Sequence, residues 1–246
     1  MKLYKFRNIN SEKDYKRVLE YIEEKFLHAA KIANFPDTFE LDICKIEIKY
    51  DENDIDNLMK YNLKQLNKPI PDKKTLAQIL TDNPSSEYYR FELTNLINEL
   101  KEIVNICSLS KSYNDSKMWE DYSKGICIEV EVMKHKNIKE RHVKYTNEKP
   151  IIKLPKDIFN TELLKEKLLQ YKSESYKFEN EVRFVSDKQN KLPLENISKI
   201  YVGYNVSKWD KDKLVKNVHN IDPNIKIYEI IKDKEYYKFI EGDELI

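Results

Sequence analysis

"NICSLSKSYNDSKMWEDYSKG" occupies Asn105–Gly125, and it holds two features that can be read independently. An apolar run ends in two serines two residues apart. Alternation along a strand Val104–Ser110 puts Val104, Ile106, Ser108 and Ser110 on one face, so both hydroxyls stand at one strand end. Such hydroxyls either cap a turn or orient a neighbouring carboxylate or ligand. If Ser116–Tyr122 forms a helical turn, Met118, Trp119 and Tyr122 share a face. That face is either core packing or an aromatic wall for a flat ring.

Outward from this stretch the patterns alternate between strand and helix. Leu3–Arg7 reads as a strand, with Arg7 at its end. An arginine there can clamp a phosphate bidentately or stand in solvent. Ser11 and Asp14 open a helix with an apolar face of Tyr15, Val18, Leu19, Ile22, Phe26 and Ala30. Phe39, Leu41 and Ile43 alternate, and the phase slips to Ile46, Ile48 and Tyr50, predicting a bend near Cys44–Lys45. A helix is expected from Asp54 to Leu66, then a linker "NKPIPDKKT" and a long helix from Ser86 to Ile103. Strands follow at Ile126–Met133, Arg141–Tyr145 and Glu179–Val185, with a helix over Thr161–Tyr171. The tail reads as strand Lys199–Tyr204, helix Lys208–Val218 and strand Ile225–Ile231. The expectation is one α+β domain over residues 1–246, with helices concentrated in the N-terminal half.

In "KFENEVRFV" the same alternation sets Glu179, Glu181 and Arg183 on one strand face and Phe178, Val182 and Phe184 on the other. Three charges on one face fit a solvated strand or the floor of a polar cleft. In a cleft, one carboxylate can face a developing positive charge and the other an incoming nucleophile.

Composition removes several classes. The 44 Lys and Arg residues against 43 Asp and Glu leave a net charge of +1, which argues against a duplex-DNA binder relying on broad phosphate neutralisation. Three cysteines and four histidines lie without metal-ligand spacing, so neither a disulfide framework nor a metal site is expected. The three glycines, Gly125, Gly203 and Gly242, are far apart. Walker and Rossmann loops need clustered glycines, so a bound nucleotide would be held mainly by side chains. No apolar leader or membrane-length run is seen, and a cytoplasmic protein without membrane partners is expected.

Four stretches, "LYKFR", "ANFPDTFE", "SLSKSYNDSKMWEDYSKGICIEV" and "YKFENEVRFV", together resemble the bacterial DUF2971 family, a group named for having no assigned function. The second stretch departs from the family's Phe-Asn-Asp-Pro-Phe-Glu pattern, reading Phe35-Pro36-Asp37-Thr38-Phe39-Glu40. An Arg strand, a Ser-x-Ser strand and a later Glu-x-Glu are also similar to the Arg–Ser–Glu order of ADP-ribosyltransferases. That resemblance implies a mixed-sheet transferase-like core that consumes NAD without a metal. Arg7 would contact the phosphates or nicotinamide ribose, with Tyr4, Ser110, Trp119 and Tyr122 also in the nucleotide site. Ser108 (or Ser110) would brace the catalytic carboxylate, Glu181 would stabilise the oxocarbenium-like centre, and Glu179 would orient the acceptor, be it protein, nucleic acid or water. A toxin or phage-defence role would fit. Ser108, Glu181 and Arg7 are then expected in one cleft, with Trp119 buried beside it. The other readings are a nucleic-acid or protein interaction module using lysine-flanked tyrosines, and a metal-dependent nuclease on Asp37, Glu40, Glu179 and Glu181.

Overall fold

Alternation in the opening strand, β1 (Lys2–Asn8), organises the fold. Leu3 is 1% exposed and belongs to a core cluster with Tyr15, Val18, Tyr21 and Ile22 of helix α1 (Glu12–Glu24). Phe6 belongs to a second cluster with Met118 and Trp119. Leu3, Lys5 and Arg7 therefore face one side of the sheet, and Tyr4 and Phe6 the other.

A computed structural model of the chain describes residues 1–35, 45–48, 87–154, 157 and 160–246. The chain divides into two units. Met1–Asn34, Val104–Val143 and Glu174–Ile246 form the first, and Phe35–Ile103 with Lys144–Ser173 the second. The expected strand Phe39–Ile43, the bend at Cys44–Lys45, the helix Asp54–Leu66, the linker, Asp37 and Glu40 lie outside the described residues.

The first unit holds a mixed ten-stranded sheet. Its strands are β1, β2 (Phe26–His28), β3 (Ala30–Lys31), β5 (Asn105–Ser110), β6 (Gly125–Val132), β7 (Lys139–His142), β11 (Glu181–Ser186), β12 (Lys191–Val202), β13 (Lys226–Lys232) and β14 (Phe239–Glu244). The order is β14-β13-β12-β6-β1-β5-β11-β7, with β2 on β12 and β3 on β5. All pairings are antiparallel except β12–β13, whose parallel register (Lys199↔Lys226) is bridged by helix α5 (Lys208–Ile221). Helices α1 and α5 cover one face: Leu214, Val215 and Val218 join the α1 residues over Leu109, Ile126, Ile128, Val182, Phe184 and Ile200. On the other face the short helix α3 (Ser116–Asp121) sets Met118 and Trp119 against Phe6, Cys127, Tyr201, Ile230 and Phe239.

The second unit includes α2 (Glu87–Ile103), α4 (Thr161–Leu169) and two parallel strand pairs. These are β4 (Lys45–Ile48) with β9 (Ile151–Leu154), and β8 (Lys144–Thr146) with β10 (Tyr171–Ser173). Asp157, 2% exposed, accepts from the Lys153 amide at 2.7 Å and from Lys167 Nζ at 2.5 Å, joining β9 to α4. The architecture is α+β, as expected.

Three boundaries differ from the sequence pattern. Helix α1 stops at Glu24 because Lys25 turns left-handed (φ 51°), and Phe26 and Ala30, read as helix-face residues, lie in strands. The stretch Arg141–Tyr145 is broken into β7 and β8. Strand β11 starts at Glu181, because Glu174–Glu179 form a 3-10 turn and Asn180 has φ 45°. Glu179 thus lies outside the strand that carries Glu181 and Arg183, and the alternation that grouped it with them does not extend to it. Phe178, expected with Val182 and Phe184, packs instead against the Trp119 cluster on the opposite side.

Candidate functional site

The sheet is nearly interrupted at its centre. β1 pairs with β6 at seven positions but with β5 at one, Tyr4↔Ser110. Beyond that pair β3 takes over the edge of β5, with Ala30 opposite Ile106. Between the two contacts, the Ser108 carbonyl accepts from Lys5 Nζ at 2.9 Å, so a side-chain ammonium stands where strand pairing has lapsed.

Lys5 and Arg7 share the helix-covered face of β1. Arg7 Nη2 donates to Tyr21 Oη at 2.9 Å, and its guanidinium lies 5.8 Å from the centroid of that ring. Arg7 Nε is buried without a hydrogen-bond partner. Burial is the main force lowering the Lys5 pKa, and the Arg7 charge lowers it further, against opposing contributions from Cys107 and Glu181. Two cations thus sit side by side at the opening, with one guanidinium N–H unused.

The opposite face carries a polar row. Glu181, Ser110, Tyr4 and Glu129 stand directly across from one another on β11, β5, β1 and β6. Glu181 is 5% and Arg183 1% exposed. Arg183 Nε meets Glu181 Oε1 at 2.9 Å, and Nη2 meets Oε2 at 3.4 Å, a forked pair that favours the ionised carboxylate. The carboxylate and guanidinium on this strand are therefore buried and paired, not the solvated strand face that alternation also allowed. Ser110 Oγ is committed to its own turn, donating to Ser112 O at 2.8 Å and accepting from Ser112 N at 3.1 Å.

At the far end of the row, Glu129 accepts from Ser198 Oγ (2.6 Å), Tyr4 Oη (3.3 Å) and Tyr201 Oη (3.4 Å), and pairs with Lys2 Nζ (2.8 Å). Burial pushes its pKa up, but the hydrogen bonds from Lys2 and Ser198 outweigh it and hold the group below its ordinary range. The tyrosines respond in the other sense: burial, with the Glu129 charge adding to it, raises the phenols of Tyr4 and Tyr201. Three strand steps of ~4.8 Å separate Glu129 from Glu181, about 14 Å, too far for the two carboxylates to work on a single bond.

The sequence-predicted residues therefore divide. Tyr4, Ser108, Ser110 and Glu181 come together on neighbouring strands and one face. Arg7 belongs to the adjacent strand but faces the other side, so the expected single cleft of Arg7, Ser108 and Glu181 is not formed by side chains on one face. Glu179 stands at the end of the 3-10 turn, two residues from Glu181 across the left-handed Asn180. Trp119 is fully buried, edge-on to Phe6 at 5.2 Å and tilted on Phe239 at 6.4 Å, with Nε1 donating to Tyr113 O at 2.5 Å. Its ring is committed to packing, as is that of Tyr122, 5.4 Å from Phe6. Among the described residues no group of three or more His, Cys, Asp or Glu is placed to hold a metal ion, and no helix is long and apolar enough to cross a membrane.

Sequence reasoning passed over three members of this region: Lys5, Arg183 as the partner of Glu181, and Glu129. The last two carried a signal, since a charged residue in phase with buried neighbours, as in "ICIEV" and "EVRFV", has to bring its own partner into the core. No family model matches this chain, and neither does any curated protein or solved structure.

Proposed function

We propose that the protein is an NAD-consuming enzyme of ADP-ribosyltransferase type, acting at the opening between β1 and β5. The observation that supports this is the adjacency of three strands: β1 with Arg7, β5 with Ser108 and Ser110, and β11 with Glu181 are consecutive neighbours, and the first two part after one residue pair. Lys5 and Arg7 edge that opening with positive charge, and the unpartnered Arg7 Nε is a donor suited to a pyrophosphate oxygen. Arg7 and Glu181 face opposite sides of the sheet, so in this reading they act on different parts of the dinucleotide. Its pyrophosphate lies against Lys5 and Arg7, and its nicotinamide ribose on the Glu181 side.

The glycosidic C–N bond breaks with its electron pair leaving on nicotinamide, and positive charge develops at the ribose carbon. Glu181, paired with Arg183, stabilises that charge more in the transition state than in the ground state. The acceptor's lone pair then forms the new bond to the ribose carbon, and its proton is lost toward Glu179 or solvent.

The test is nicotinamide release from NAD by the purified protein, with and without cell lysate as acceptor, alongside calorimetric titration with NAD. Glu181→Gln keeps the size of the side chain and removes its charge. Turnover is expected to fall by about 10²-fold or more while NAD affinity is retained, and Arg7→Ala is expected to weaken NAD binding. A wild-type protein that neither binds NAD nor releases nicotinamide ends this reading.

A further inference from the structure

The turn joining β13 to β14, Lys232–Phe239, is built to hold two tyrosines in water. Its base is fixed in the core: Phe239 is 4% exposed, stacks on Tyr204 at 5.2 Å and 9°, and donates its backbone N–H to Asn114 O at 3.0 Å. Its tip is closed by Asp233 N to Lys238 O (3.0 Å) and Lys238 N to Tyr236 O (2.8 Å). The Asp233 carboxylate turns inward, accepting from the amides of Glu235 (2.8 Å) and Tyr236 (3.1 Å), with Lys238 Nζ at 3.7 Å. Those amides draw the Asp233 pKa down, so its charge is spent within the turn. What projects is Tyr236, 64% exposed, and Tyr237, 103% exposed. Lys238 Nζ lies 4.9 Å from the Tyr236 ring centroid and Lys232 Nζ 5.8 Å from that of Tyr204. Lys232 and Lys234 are exposed and make no ion pair among the described residues.

We infer that this hairpin is a docking element for single-stranded nucleic acid, through base stacking on Tyr236 and Tyr237 and phosphate contacts to Lys232, Lys234 and Lys238. Adjacent exposed phenol rings offer flat faces that any unstacked base matches, and exposed lysines stand on either side of them in the chain. The exposed residues of the tip are Lys232, Lys234, Glu235, Tyr236, Tyr237 and Lys238, with Ile231 exposed at its edge, so rings and cations rather than aliphatic surface dominate, which favours a nucleic acid over an apolar groove. A whole-chain net charge of +1 suits a short local contact rather than a broad duplex footprint. This inference is independent of the NAD reading.

Fluorescence anisotropy with a short labelled oligothymidylate tests it, with a duplex of equal length and phosphatidylserine–phosphatidylcholine vesicles as parallel arms. Wild type is expected to bind the single strand better than the duplex. The double variant Y236A/Y237A should bind it roughly ten-fold or more weakly, and K232Q/K234Q should flatten the salt dependence. Both variants should keep the wild-type melting temperature, because the replaced side chains are exposed. Absence of single-strand binding by wild type, equal binding by the tyrosine variant, or vesicle binding lost in that variant while oligonucleotide binding persists would each overturn the inference. Nicotinamide release measured on the same variants separates a failure here from a failure of the NAD reading.

Discussion

Removing Trp119 tests the second core directly. Trp119→Ala deletes a fully buried ring that touches Phe6 and Phe239 and withdraws the donor of the 2.5 Å bond to Tyr113 O. Large-to-small changes of this kind cost about 3–5 kcal/mol from lost transfer energy and the residual cavity. The Tyr113 carbonyl, left without its partner, adds a cost within about 1–3 kcal/mol. The two overlap where Tyr113 shifts into the cavity, so the total is expected near 5 kcal/mol. At roughly 2–4 °C per kcal/mol for a domain of this size, the melting temperature should fall by about 10–20 °C. Trp119→Phe keeps a ring against Phe6 and loses the N–H, so it should fall between wild type and Ala. The assay is urea and thermal unfolding followed by circular dichroism. An Ala variant melting within about 2 °C of wild type would refute the assignment of Trp119 to the core.

Glu129 should make stability depend on pH. Its folded-state pKa lies below its ordinary value, so its contribution is fully present above the ordinary carboxylate range and is lost as pH falls through the depressed folded value. Urea midpoints measured from about pH 6 down to about pH 3 should drop more steeply for wild type than for Glu129→Gln; parallel curves would show that the charge is not what the pocket recognises. Gly125 and Gly242 form a matched pair of tests. A Cβ on Gly125 would come 2.3 Å from the Arg7 carbonyl oxygen, while one on Gly242 would meet the Ile231 methyl Cγ2 at 2.9 Å, with the Glu229 carbonyl oxygen at 3.1 Å. Gly125→Ala should cost about 1–3 kcal/mol or more because backbone has to move, and Gly242→Ala less because a side chain can; equal midpoints for the two would contradict the close approach at Gly125.

What could be read in the residues was local, and what could not was decided at a distance. Ser11 and Asp14 do cap α1, the Ser11 hydroxyl accepting from the Asp14 amide, because a capping box lies within one turn of chain. Period-two alternation correctly set Ile106, Ser108 and Ser110 on one face and, applied to "LYKFR", already separates Tyr4 from Arg7. The convergence of Arg7 with Glu181 came from the resemblance instead, and the strand parity opposes it. The first half of β12 was not read as a strand; it contains Pro193, which offers only its carbonyl to the ladder, accepting from Met133 N–H at 3.0 Å. Lys25 and Asn180 adopt left-handed backbone that their identities only weakly announce, and each moved a boundary: Phe26 out of a helix, Glu179 out of a strand. The Glu181–Arg183 fork needed only the sequence. The Glu129 pocket needed Lys2 and Tyr4 from β1 and Ser198 and Tyr201 from β12 brought to either side of β6.

The position of β1 in the middle of the sheet bears on how the chain is made. Its partner β6 is far downstream, Tyr4 and Glu129 being 125 residues apart, and β5 needs β11 beyond the second unit. At about 5–20 residues per second, the first strand waits about 6–25 s on the ribosome before its neighbour exists. During that interval Leu3 has only the residues of α1 to pack on, Phe6 lacks Cys127 and Tyr201 of its core, and helix α1 has no sheet to cover. Nascent chains stalled before β6 should therefore be bound by chaperones and cut by protease at β1, and protection should arrive in one step when β6 clears the exit tunnel.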